Sequence, residues 1–140
     1  MLEHFLKEFT LWILLSLATF FSFFSAVPVL RASDFETRCG WIDNPTPANW
    51  DLTDRHGTWL IGAQGGYQAK GDVPQIPESK KYWVNTNIHY GYGCACLKVK
   101  TDPKQKRILE IKGGQALPLA RCYSDKTLPP RAKETATSEK

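Results

Sequence analysis

Tyr90-Gly91-Tyr92-Gly93-Cys94-Ala95-Cys96-Leu97-Lys98-Val99-Lys100 alternates two kinds of side chain. Successive residues of an extended chain point to opposite faces. Tyr90, Tyr92, Cys94 and Cys96 therefore share one face. Gly91, Gly93, Ala95, Leu97 and Val99 share the other. A β-strand is predicted, with its cysteines on one side and small or aliphatic residues on the other. Residues i and i+2 of a strand point the same way, so Cys94 and Cys96 are poorly placed to bond each other. One should meet Cys39 and the other Cys122. Spacing leaves both of those pairings open.

Reading outward from this strand, Thr101-Asp102-Pro103-Lys104 is turn material and residues 107–112 form the partner strand. Gly113-Gly114 is expected to break that strand, and residues 117–122 to form a last short one. Upstream, residues 82–87 repeat the strand pattern. Residues 65–80 hold Gly65, Gly66, Gly71, Pro74 and Pro77 and read as a long loop, a feature of functional segments in small domains. Residues 58–64 form a strand with Trp59, Ile61 and Ala63 on one face, Trp59 being the best core candidate. Asp54-Arg55-His56-Gly57 suits a hairpin, residues 50–53 a short strand, and Asn44-Pro45-Thr46-Pro47 a turn. No helical period persists after residue 32. The expected fold class is all-β: a small antiparallel sheet, sandwich or barrel stapled by two disulfides and preceded by an N-terminal hydrophobic helix.

That helix is expected because residues 11–30 carry no charged side chain, and Arg31 ends the run. A stretch of ~20 apolar residues can cross a bilayer once. The flanks resemble those of a signal peptide only in part. Glu3 and Glu8 accompany Lys7, and cutting after Ala26 or Ala32 leaves Phe24 or Leu30 where a small residue is preferred. Residues 1–32 are read as a signal peptide or, if uncleaved, an N-terminal membrane anchor. Residues 33–125 are read as a disulfide-stabilised β domain and 126–140 as a polar, disordered tail. Four cysteines in a short exported chain read as a disulfide framework of Cys39, Cys94, Cys96 and Cys122, placing the protein in the periplasm or outside the cell.

Net charge is +4 with both signs mixed along the chain. There is no dense basic run and no nucleic-acid motif, so nucleic acid is not an expected partner. No metal site or cofactor is expected. Cys94-x-Cys96 has the wrong gap for a structural zinc pair or a thiol-exchange motif, and His56 and His89 stand in no ligand spacing.

The strings Cys39-Gly-Trp-Ile-Asp-Asn-Pro-Thr-Pro-Ala-Asn49, Gln64-Gly-Gly66, Tyr90-Gly-Tyr-Gly-Cys-Ala-Cys-Leu97 and Pro118-Leu-Ala-Arg-Cys122 resemble a domain-of-unknown-function family of small exported bacterial proteins. The resemblance covers residues 39–122. It implies an envelope protein whose four cysteines belong to the fold, and it brings no activity.

Function must then be read from side chains. Trp41, Trp50, Trp59, Tyr67, Tyr82, Trp83, Tyr90 and Tyr92 make the domain rich in aromatic residues with polar tips, which are good anchors for sugars, peptides or proteins. Some must be core, and the Tyr90/Tyr92 face is expected to be covered near the disulfides. The candidate ligand-binding residues are Tyr67 and Gln64 at the long loop, with Trp83, Asn85 and Asn87. The expectation is a non-enzymatic envelope module that binds a protein or glycan, with a hydrolase inhibitor as one form. Membrane contact would come only through the N-terminal segment. The alternative is a hydrolase acting on a cell-wall or secreted substrate, using Asp43, Asp51, Asp54 and His56; no nucleophile–base pair can be named for it. A structural envelope component is a third reading.

Overall fold

β5 (Tyr90–Asp102) is the strand around which the others are arranged. The computed structural model describes residues 35–132. Before β5 come β1 (Glu36–Thr46), β2 (Asn49–Asp54), β3 (Gly57–Gly62) and β4 (Trp83–Asn87); after it come β6 (Arg107–Leu117) and α1 (Leu119–Ser124). The sheet order is β1-β2-β3-β6-β5-β4, and β1 also pairs with β5. That extra pairing closes β1, β2, β3, β6 and β5 into a ring. One edge of β5 meets β1 from Gly91 to Val99. Its other edge meets β4 up to Gly93 and then β6 from Cys94 onward.

Among the strands β1–β6 the pairings are antiparallel except β3–β6, where Leu60 lies beside Arg107 in parallel register. The sheet is thus mixed, where a purely antiparallel one was expected. The reason is connectivity: β4 and β5 intervene, so β6 arrives running the same way as β3. A five-stranded ring of this order resembles the OB type of barrel. That architecture hosts many unrelated activities, so it fixes geometry and no function.

The alternation read in β5 sorts two cores. Ile42, Leu52, Trp59, Leu97, Val99 and Ile108 are buried together, drawn from every strand of the ring, and fill its interior. Each such side chain contributes roughly 1.5–3 kcal/mol when fully buried. Trp59, the predicted core residue, is 1% exposed. Trp41, Val84, Cys94, Leu119, Cys122 and Leu128 form a second cluster on the outer face. Cys39 bonds Cys96, its register partner across β1 and β5, and Cys94 bonds Cys122, tying α1 to the sheet. The pairing left open by sequence is thereby decided by register. Each closed loop stabilises the fold by on the order of 3–4 kcal/mol in the chain-entropy picture.

Four local expectations are corrected. Asn44-Pro45-Thr46 ends strand β1, where a turn was expected. Residues 119–124 are helical, where a strand was expected; six residues are too few to display a period, and only Leu119 and Cys122 face inward. Gly113-Gly114 lies within β6 and does not break it. A Cβ at Gly114 would come 2.7 Å from both the Cys96 carbonyl oxygen and Leu97 Cδ2, so glycine there permits close strand contact. Residues 126–132, expected to begin a disordered tail, lie on the outer face, with Leu128 only 7% exposed. The predicted N-terminal hydrophobic helix and targeting segment lie outside the described residues, as do residues 133–140. Among the described residues, no helix is long and apolar enough to cross a membrane.

Candidate functional site

The Gly91-x-Gly93 alternation builds an aromatic-lined cavity. Trp83 is the register partner of Gly93. A Cβ at Gly93 would lie 2.9 Å from Trp83 Cε3 and 2.9 Å from the Tyr82 carbonyl oxygen. At Gly91 it would run into the Val84 carbonyl oxygen. Without those side chains, β4 folds closely over β5 and carries Trp83 onto the interior core. There its ring centroid lies 6.4 Å from that of Trp50, with the planes tilted by 51°.

Residues 73–78 form the opposite wall, held by Val73 and Ile76 packing against the interior core. Tyr90 joins from the start of β5, just after the Ile88-His89 turn, in which Ile88 takes φ 52°. The result is a groove of about 340 Å³ lined by Trp50, Trp83, Tyr90, the 73–76 segment, Asn44, Gln75, Glu78 and His89. At its rim, Glu78 Oε2 and His89 Nδ1 are 3.7 Å apart and both side chains are exposed, a pair that solvent screens strongly.

The three buried tryptophans among the described residues differ in one respect. Trp59 donates its Nε1–H to Asp54 Oδ1 at 3.0 Å. Trp41 donates to the Pro129 carbonyl oxygen at 3.0 Å. Trp83 Nε1 is buried with no hydrogen-bond partner among the described residues. An unsatisfied buried donor costs about 1–3 kcal/mol, and native structures hold few of them.

Of the predicted ligand residues, Trp83 lines this groove. Asn85 and Asn87 are exposed farther along β4 and do not line it. Tyr67 is half-buried, its hydroxyl donating to the Ile108 carbonyl oxygen at 2.7 Å, with the Arg107 guanidinium 4.7 Å from its ring. The Gln64 side chain is exposed, and its backbone N–H donates to Asn49 Oδ1 at 2.8 Å. The first half of the long loop is fastened to the sheet, with Ala69 N–H donating to the Ile61 carbonyl oxygen and Ile111 N–H to that of Lys70. The later 73–78 segment is the part of the loop that borders the groove. Sequence reading counted Trp50 and Tyr90 only among the general aromatic anchors, with the Tyr90/Tyr92 face expected to be covered near the disulfides, and passed over Asn44, Gln75 and Ile76. The signal for Tyr90 was the glycine after it, which marks where another strand crosses.

The acidic cluster divides between the faces. Asp54 is 5% exposed and accepts from Arg38 (2.6 Å), the His56 backbone N–H (2.7 Å) and Trp59. Burial pushes its carboxyl up, but the hydrogen bonds from Trp59, Arg38 and His56 outweigh that and hold it below the usual aspartate range. Asp43 and Asp51 are register partners on β1 and β2. Burial, then the Asp43 charge, raises Asp51. Asp43 is held by Arg131 in two hydrogen bonds of 2.6 and 2.8 Å. His56 is exposed in its turn. A second, polar cavity of about 290 Å³ beside Arg38, Asp54 and His56 is walled by these paired charges. All four cysteine sulfurs are consumed in disulfides, so no thiolate cluster forms.

Comparison with curated proteins and with solved structures returns no match. The pattern of one family does match, over residues 33–129, and the chain belongs to that family, described as Protein of unknown function (DUF4087).

Proposed function

We propose that this is an exported, non-enzymatic binding module that takes a glycan in the Trp50–Trp83–Tyr90 groove. The observation that carries the reading is the buried Trp83 Nε1–H, without an acceptor among the described residues, at an aromatic cavity. Aromatic faces pack against the C–H faces of sugar rings, and a few placed polar groups fix orientation. Gln75 supplies a carboxamide, and Glu78 and His89 supply rim groups that bond hydroxyls. A small outward movement of residues 73–78 lets a ligand oxygen accept from Trp83. The two disulfides suit an oxidising compartment, consistent with export.

Hydrolysis is less well supported, because each carboxylate of the acidic cluster is either held by an arginine or separated from His56. The reading is tested by calorimetric titration with cello-oligosaccharides, chito-oligosaccharides and soluble peptidoglycan fragments. Binding by at least one class, lost in Trp50→Ala and Tyr90→Ala, is expected. No binding by any class, or binding unaffected by both substitutions, contradicts it.

A further inference from the structure

The outer face carries a second site, already filled by the chain itself. Residues 129–132 have no regular secondary structure, and neither Pro129 nor Pro130 has a backbone N–H to satisfy. Leu128 is buried in the outer cluster. Trp41 reads the Pro129 carbonyl through its indole N–H. Arg131 makes its paired hydrogen bonds to Asp43, and its guanidinium carbon lies 5.1 Å from the Trp41 ring and 4.6 Å from that of Tyr92. The Tyr92 and Tyr123 hydroxyls reach the Ala132 carbonyl oxygen at 3.2 and 3.3 Å. The rings themselves are fixed: Trp41 meets Tyr92 and Tyr123 edge-on at 5.6 and 5.0 Å.

These are the elements by which aromatic grooves read proline-rich peptides: ring walls, a donor for a main-chain carbonyl, and a carboxylate for arginine. Asp51, opposite Asp43, adds a second carboxylate that favours a cationic occupant. We propose that Trp41, Tyr92, Tyr123 and Asp43 form a recognition site for extended peptides of the type hydrophobe-Pro-Pro-Arg, filled in cis by residues 128–131 and opened to a partner protein's segment when the cis segment is displaced. The Cys94–Cys122 bond anchors α1, so only the stretch beyond it needs to move. A tether this short keeps the cis segment at high effective concentration, and the ion pair at Arg131 is what a competitor must replace.

The test uses the full chain and a labelled, end-capped peptide, Asp-Lys-Thr-Leu-Pro-Pro-Arg-Ala, read by fluorescence anisotropy. Arg131→Ala loosens the cis segment and is expected to bind the peptide at least tenfold more tightly than the unaltered chain. Adding Asp43→Asn, or placing alanine at the peptide's arginine, is expected to reverse at least tenfold. Near-ultraviolet circular dichroism checks that Arg131→Ala is folded. If it is not, Arg131→Lys, which keeps the charge without the paired bonds, should give a smaller increase of the same sign. Equal weak binding by variant and unaltered chain makes the segment a fixed part of the fold and overturns the proposal. Binding indifferent to the peptide arginine overturns it as well.

Discussion

Trp41 and Trp83 sit on strands that flank β5, on opposite faces of one sheet, and the chain treats them differently. Trp41 is enclosed by Tyr92, Tyr123 and the C-terminal segment, and its N–H has an acceptor. Trp83 is as well buried as a core residue, yet its N–H has none among the described residues, and it borders a groove. The difference separates an open site from one that the chain itself already fills. A satisfied aromatic cluster has its stabilising partners already in place, whereas an orphaned donor at a cavity is a local conflict that folding alone does not explain.

The comparison can be broken in several ways. The largest effect should come from Asp54→Ala, which serves as the reference for a satisfied tryptophan. It strips the acceptor from Trp59 and leaves Arg38 with only Glu36, so urea unfolding at pH 7 should show a loss of about 3–5 kcal/mol. The same aspartate sets an acid limb. Its folded pKa lies below its unfolded value, so its contribution is present above the unfolded pKa and is lost as pH falls through the folded one. Asp54→Asn should remove that limb from the stability–pH curve.

Next is Gly91→Ala, whose Cβ meets the Val84 carbonyl. Overpacking of this kind costs about 1–3 kcal/mol, and here it should also lift β4 and abolish glycan binding. A variant that keeps full affinity would separate the groove from the β4 packing described above.

The tryptophans themselves give a sharper contrast. Trp41→Phe forfeits a hydrogen bond and should cost about 1–2 kcal/mol in thermal or urea unfolding. Trp83→Phe removes a donor with no acceptor among the described residues, so about 0.5 kcal/mol of change is expected, while glycan affinity should drop about tenfold with the lost ligand bond. The smallest effect is at Asp51, whose pKa is raised. Its destabilisation is present above the folded pKa and fades as pH falls through it. Asp51→Asn should therefore stabilise the protein at pH 7 by about 0.5 kcal/mol at most, a gain that vanishes in acid.

Much of this fold was legible because alternation is a local property. The two faces of β5, Trp59 as core and most strand positions follow from period two. Register is not local. Which of Cys94 and Cys96 meets Cys39 depends on how β1 slides along β5, and both cysteines share a face whichever way it slides. The docking of residues 126–132 was hidden for a related reason. Pro129 reaches Trp41 across 88 positions of sequence, and a polar, proline-bearing stretch reads locally as tail. The groove was half visible: Trp83 stood out as an aromatic residue, but its neighbours Trp50, Asn44 and Ile76 come from segments that only the closed ring brings together.

The most direct test of the central claim is the indole N–H spectrum of the ¹⁵N-labelled chain during titration with the oligosaccharide panel. The Trp83 Nε1–H resonance should shift with a bound ligand while those of Trp41 and Trp59 stay in place. A bound ligand that moves Trp41 or Trp59 and leaves Trp83 unchanged would contradict the account.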